Sequence, residues 1–217
     1  MTLDRSPGLP RHSCFSPTTL LVINYLHDCA VMLTSPKGRK VTRYTNKMSN
    51  HSLAAGDMAP DFTVQDVKGK TITLSKYRDQ SVLLVFLRYA GCPWCNLAIH
   101  RLALEYPMLH KQNCQIIAFV QSDSESICEN IYERHEVTPQ FPIIADPDKE
   151  FYKLYGVHSR PAAITKAIRA IPYWVHAVKA HGFKQTKMDG DLFMVPATFL
   201  ISSKTGQIVE ADYDGSF

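Results

Sequence analysis

The stretch "SVLLVFLRYAGCPWCNLAIHRL", residues 81–102, constrains the fold more than any other part of the chain. It opens with a continuous apolar run of strand length, as expected for a central strand covered on both faces. Two cysteines two residues apart come directly after it. Beyond them Cys95, Ile99, Leu102, Tyr106 and Leu109 recur at spacings of four, three, four and three, the signature of a helix buried along one side. A buried strand that feeds a buried-face helix requires a sheet with that helix packed on it. The turn between them is Cys92-Pro93-Trp94-Cys95. Pro107 is expected to kink the helix or end its first part.

The flanking segments extend this pattern. "GDMAPDFTVQDVKGKTITLS" gives two short alternating strands around Lys68-Gly69-Lys70, a hairpin. After the cysteine helix come "QIIAFVQ" as a strand, Ser124 to His135 as a helix, "FPIIAD" as a strand and Lys149 to Tyr155 as a short helix. "SRPAAITKAIRAIPYWVHAVKA" reads as one or two helices broken at Pro172, followed by the basic loop "HGFKQTKMDGD". "FMVPATFLISSKTGQIVEADY" closes the pattern with two strands around Lys204-Thr205-Gly206. The order predicts an α/β, thioredoxin-like three-layer sandwich: a mixed central sheet, an N-terminal β-hairpin and a helical insert at about 159–191. The domain is expected to span 55–217. There is no internal repeat and no low-complexity tract.

A reactive thiol must be ionised near neutral pH, whereas a free cysteine, with a pKa of about 8.5, is mostly protonated there. A helix N-terminus lowers that value, because unpaired N–H groups and the helix dipole stabilise an anion. Cys92 is placed at such a point, and Pro93 takes the first helical position, where its missing N–H is harmless. Cys95, one turn on, is in phase with the buried stripe. The expected roles are Cys92 as exposed nucleophile and Cys95 as buried resolver, the two forming a redox-active disulfide. The alternatives are a pair of inert buried thiols or half of a zinc site. A closed zinc site needs two more ligands at recognisable spacing, and only lone Cys114 and Cys128 and isolated histidines such as His100 and His110 are on offer. His100 is expected on the helix surface. No metal or organic cofactor is expected. Pro196, in "VPATFLI", is expected to take a cis peptide and face the cysteine pair, the alternative being a strand-starting proline.

Charge and cysteine count narrow the classes further. Residues 1–50 hold seven basic and two acidic residues, leaving 17 basic and 18 acidic in the rest, so the body carries no nucleic-acid surface. Six cysteines in 217 residues are too few for a disulfide-stapled secreted domain, and Cys14, Cys29, Cys114 and Cys128 are scattered singly. A CxxC within an α/β pattern points to a reducing compartment, taken as cytoplasmic. Residues 1–54 read as a basic, poorly ordered extension, with Met48 as a natural start for the domain. Its apolar run is broken by Asn24, His27 and Asp28 and falls short of the about 20 residues that cross a membrane. Its basic, acid-poor composition weakly resembles a mitochondrial presequence, which would make the location mitochondrial instead.

"GDMAPDFTVQDVKGKTITLSKYRDQSVLLVFLRYAGCPWC" together with "VPATFLISSKTGQIV" resembles the redoxins of the thioredoxin superfamily, in the alkyl hydroperoxide reductase/thiol-specific antioxidant lineage with its peroxiredoxin-like branch. The likeness runs from about Gly56 to Tyr213 and is loose over Ser159–Asp191. It implies thiol-dependent reduction of peroxides or of protein or small-molecule disulfides, renewed by an external thiol of thioredoxin or glutathione type. A homodimer is compatible with it. Two departures bear on the chemistry. Peroxiredoxins place a Pro and a Thr seven and three residues before the peroxidatic Cys; here Val85 and Tyr89 precede Cys92, and Arg88 and Cys92 precede Cys95. They also place an Arg before the strand matching "ATFLI", where this chain has Pro196. Arg88 is a candidate substitute charge beside Cys92, or else a strand-end surface charge. The reading is therefore a CxxC oxidoreductase on a redoxin fold, with Cys92 attacking a disulfide or oxidised thiol, Cys95 resolving, and Pro93, Trp94, Pro196 and Arg88 in support. The alternatives are a weak thiol peroxidase using Cys92 and, in another class, a redox-inactive binding module using the insert "ITKAIRAIPYWVHAV". The closing residues, "ADYDGSF", stand where such redoxins usually add a helix, so an exposed apolar groove is expected beside the last hairpin.

Overall fold

A computed structural model describes residues 52–160 and 171–213. Residues 1–51 of the expected N-terminal extension therefore lie outside the described residues, as does part of the insert. Strands β1 (Thr63–Gln65) and β2 (Thr71–Thr73) form the N-terminal hairpin, with Thr63 opposite Thr73. Its turn is held by Asp66, whose carboxylate accepts the backbone N–H groups of Lys68 and Lys70 at 3.0 and 2.8 Å. The main sheet follows the order β5-β4-β3-β6-β7, with β3 Ser81–Phe86, β4 Cys114–Val120, β5 Ile143–Ala145, β6 Ala197–Ile201 and β7 Ile208–Asp212. Strands β3, β4 and β5 are parallel; β6 and β7 join antiparallel. The sheet is mixed and β3 is its centre, as its unbroken apolar run requires.

Successive β3 side chains point to opposite faces and thereby build two cores. Leu83, Val85 and Leu87 pack with α1 (Pro93–Lys111) and with Ile127 and Ile131 of the next helical segment. Val82, Leu84 and Phe86 pack with Phe62 and Ile72 of the hairpin region and with Tyr152 of α3 (Glu150–Leu154). That is the three-layer, thioredoxin-like arrangement. Helix α1 buries Cys95, Ile99, Leu102, Tyr106 and Leu109, the stripe read from spacing. It runs unbroken through Pro107, so the proline does not end it. Pro107 lies on the exposed side, where a carbonyl left without its partner can tilt toward water.

Other boundaries differ as well. The segment read as one helix over 124–135 is a single α turn, α2 (Ser124–Ile127), continued by a π-helical turn, Cys128–Tyr132. Asn130 in that turn donates its side-chain N–H to the Ser126 carbonyl, a local bond competing with regular winding. Helix α4 (Ile171–His181) carries Pro172 in its first turn, where proline is tolerated, and ends at Gly182 with φ +67°. Buried Ala177 of α4 meets Leu97 of α1, so the described part of the insert packs on the domain. The open groove expected beside the last hairpin is filled on one face. Tyr213 meets Phe199 edge-on at 5.2 Å and donates its hydroxyl to the Tyr155 carbonyl at 2.8 Å. No described helix is long and apolar enough to cross a membrane.

Candidate active site

The end of β3 is clamped before the chain turns into the cysteine motif. The single proton of the buried Tyr152 hydroxyl is placed between the Leu87 and Phe119 carbonyls, tying α3 to the ends of both central strands. Leu87 N–H continues the ladder to Phe119 at 2.9 Å. Arg88 therefore leaves the sheet from a fixed point. Cys92 is the N-cap of α1 in extended conformation, and Pro93 is the first helical residue, as the spacing predicts.

Arg88 lies against the pair. Its Nη2 donates to Cys92 Sγ at 3.1 Å, and its guanidinium carbon sits 5.1 Å from the centre of the Trp94 ring. The ring covers one side of the cation. Of the two readings of Arg88, a charge beside Cys92 is the one the structure supports. Burial opposes the guanidinium charge, but the two cysteines hold it the more firmly in its ionised form.

The two thiols titrate as one unit. Burial pushes the Cys95 thiol up, but the Cys92 S–H and the Arg88 guanidinium outweigh burial and bring it down to about 6. Burial, joined by the proton shared with Cys95, pushes the Cys92 thiol well above the ordinary range. Arg88 touches Cys92 while the lowered value falls on Cys95, so the anion is best described as shared. The first proton leaves readily and the second is held. Arg88→Met should move that first midpoint up by about one to three pH units, because an opposite charge within bonding distance is lost. Ultraviolet thiolate absorbance across a pH series measures it. The thiolate population at neutral pH is expected to fall from most molecules to half or fewer.

Two expectations are corrected by the geometry. Cys92 is not exposed: it is 0% accessible, against 3% for Cys95. It sits in the core cluster of the α1 face, and the loop after α4 lies against the residue before it. Thr186 N–H donates to the Gly91 carbonyl at 3.2 Å, and a Cβ on Gly91 would stand 2.3 Å from Thr186 Oγ1. Only glycine lets the loop lie so close. Pro196 is not cis either, since every described peptide bond is trans. Strand β6 starts with Ala197 opposite Phe86, so Pro196 stands just before the ladder, where a missing N–H costs no bond. It stands beside the end of β3 that leads to the cysteines.

A polar network missed in the sequence surrounds the motif. Buried Asn96 donates to the Ala90 and Cys92 carbonyls at 2.6 and 3.0 Å, and its Oδ1 meets His135 Nε2 at 2.7 Å. Burial, together with His100 and His181, depresses His135 to about 4, so it stays neutral at ordinary pH. His100, expected on the surface, is buried, 4.6 Å ring to ring from His181 and 5.8 Å from Phe183. Ser122 Oγ accepts from the Ala90 N–H and donates to Asp189. Asn96, one residue past the motif and out of phase with the apolar stripe, is the signal the sequence offers; its partners are distant in the chain. Tyr89 stands three residues before Cys92, and its hydroxyl donates to Gln185 at 3.3 Å rather than to a thiol. Cys114 lies apart in β4, its thiol pushed up by burial to about 11. Among the described residues no three His, Cys, Asp or Glu side chains are grouped to hold a metal ion.

Known proteins are similar to this chain in sequence and in fold. The chain is 31% identical over 135 residues to thiol-disulfide oxidoreductase ResA of Geobacillus kaustophilus, covering 61% of this chain and 75% of that protein. It is 34% identical over 119 residues to peroxiredoxin 2 of Caldanaerobacter subterraneus, covering 54% of this chain and 53% of that one. The crystal structure of a mutant PrxQ from Xylella fastidiosa superposes with a TM-score of 0.55 at 17% identity, covering 74% of this chain and 86% of that chain, which supports the fold. The model of the AhpC/TSA family matches residues 55–211. A thioredoxin-like sheet, a paired-cysteine helix start beside a half-buried arginine and this match agree: the chain belongs to the AhpC/TSA family, enzymes of thiol-based redox chemistry.

Proposed function

We propose that the protein is a thiol–disulfide oxidoreductase in which Cys92 and Cys95 are the redox pair. The observation that carries this reading is the buried Cys92–Cys95 pair at the start of α1 with the Arg88 guanidinium 3.1 Å from Cys92 Sγ. A thiolate of the pair attacks one sulfur of a disulfide RS–SR′, forming a mixed disulfide and releasing RS⁻. The second cysteine attacks the protein sulfur of that bond, closing Cys92–Cys95 and releasing R′S⁻. Two electrons pass to the substrate, and an external dithiol or two glutathione-type thiols return them. We assign the first attack to Cys92, which holds the Arg88 contact and the helix N-cap, and resolution to Cys95. Trp94 shields the guanidinium, Pro93 starts the helix, and Pro196 borders the site. A reducing, cytoplasmic setting suits this cycle.

A second reading, weak peroxidase action, is favoured by the same cation beside Cys92. There the thiolate attacks the terminal oxygen of ROOH, releasing ROH and leaving a sulfenic acid, which Cys95 condenses with as water departs. Against it stands Tyr89, whose hydroxyl is engaged by Gln185 and so does not organise a peroxide at the sulfur. The test is stopped-flow oxidation of the reduced protein by a small aromatic disulfide, by insulin and by hydrogen peroxide. Disulfides are expected to oxidise it well above the rate for free cysteine, and peroxide near that rate. Peroxide oxidation far above that rate, with disulfides inert, would reverse the assignment.

A further inference from the structure

The loop Phe183–Asp191 has no regular secondary structure, yet it lies against Tyr89 and Gly91, beside the two buried thiols. It is anchored at each end and in the middle. At its start Phe183 packs against Leu97 and Ala177 and stacks on His135 at 4.6 Å. In the middle Gln185 accepts from Tyr89, and Thr186 Oγ1 donates to Asn130 at 2.6 Å. At its end Asp189 accepts from Ser122, and Asp191 N–H donates to Gln121 at 2.8 Å. The Asp191 carboxylate also pairs with Lys149 at 3.6 Å.

Most of these ties are single side-chain hydrogen bonds. One backbone bond, from Thr186 N–H to the Gly91 carbonyl, joins the middle of the loop to the motif. Contact is nonetheless close: a Cβ on Gly190 would lie 2.9 Å from the Tyr89 Cβ, and one on Gly91 would lie 2.5 Å from the Lys187 carbonyl. Among the described residues, buried Asp189 Oδ2 and Gln121 Nε2 have no hydrogen-bond partner, so this end of the contact is incompletely satisfied. A segment pressed tightly onto a reactive pair, but tied by few and partly imperfect bonds, is built to be displaced as a unit. The turn at Gly182, with φ +67°, gives it a place to swing from at the end of α4.

We propose that Phe183–Asp191 is a strap that selects substrates by size. Closed or slightly displaced, it admits low-molecular-weight disulfides or hydroperoxides; a folded protein's disulfide reaches Cys92 only when the whole strap lifts. The proposal rests on Cys92 and Cys95 being the reacting pair. It also changes what the buried thiolate means: charge is stored under the strap, and opening, rather than ionisation, sets the rate for large partners.

The test is alkylation of the reduced full chain, which needs no turnover. Iodoacetamide serves as the small probe and a polyethylene-glycol maleimide as the large one, each rate divided by that of the same chain in denaturant. Peptide mass mapping reports the Cys92–Cys95 segment alone. The wild type is expected to be protected at least tenfold more against the large probe than against the small one. Gly190→Ala, which forces the strap from Tyr89, should remove most of that difference while leaving the thiolate midpoint in place. Thr186→Ala, a milder change that deletes only the bond to Asn130, should reduce it in part and covers the case where Gly190→Ala fails to fold. Equal protection against both probes in the wild type would overturn the proposal. So would unchanged protection in a folded strap variant. Because the readout is chemical modification, a protein inert toward every disulfide and peroxide but showing size-dependent protection would sink the oxidoreductase reading and leave the strap.

Discussion

Cys92→Ser is expected to abolish disulfide reduction, whereas Cys95→Ser should permit one attack and then stall as a mixed disulfide. The difference arises from the order of steps. Without Cys92 the sulfur at the helix N-cap and against Arg88 is gone, so nothing at that point can open the substrate disulfide. Without Cys95 the first exchange still proceeds, but no second sulfur lies one turn along α1 to displace the bound R′S group. Intact-mass measurement after exposure to a small disulfide reads the outcome directly. The adduct should persist on Cys95→Ser and be absent from Cys92→Ser. Accumulation on Cys92→Ser instead would hand the attack to Cys95, the thiol that carries the lowered value. Cys95→Ser also removes the S–H that shares the charge, so its remaining thiol should ionise at higher pH than the wild-type pair.

The second large effect concerns stability. Phe86→Ala should cost about 3–5 kcal/mol, the range for removing a buried aromatic ring when the cavity does not collapse. Phe86 is wholly buried on the central strand and stacks on Phe119 at 4.7 Å. It also meets Tyr152, Tyr155 and Phe199 at 5.1, 5.3 and 5.7 Å. Four rings from three separate parts of the chain lose one shared partner, and a sheet on one side limits their collapse. Domains of this size are typically stable by only about 5–15 kcal/mol, so the loss is a large share of the total. Urea unfolding followed by fluorescence should show a much lower midpoint at unchanged slope. A fall of under about 1 kcal/mol would mean that the ring cluster relaxes to fill the space. Because Tyr152 holds the Leu87 carbonyl beside the motif, the surviving folded fraction should also show a disturbed thiolate midpoint.

Residue order alone dictates the frame and the placing of the chemistry. The unbroken run of β3, the stripe of α1 and the hairpin signals are local periodicities, and local periodicity dictates which face is buried. Cys92 at the helix start and Pro93 after it obey the same local rules, as does Cys95 in phase with the stripe. Local rules fail where long-range packing outweighs them. Pro107 does not break a helix whose buried side is held by five core residues, and Pro196 stands just before a strand ladder, where no donor is needed. The loop pressed against Gly91, beside Cys92, takes its place only in the folded chain, because its residues lie some ninety positions downstream with no periodic signal. The same holds for Asn96, which reads alone as an ordinary helix polar residue and becomes a tie between motif and His135 only when the 130s fold against α1. Hydrogen-bond partners far apart in the chain leave no spacing to read. Periodicity thus puts a thiol pair at the head of a helix, and long-range packing determines what reaches it.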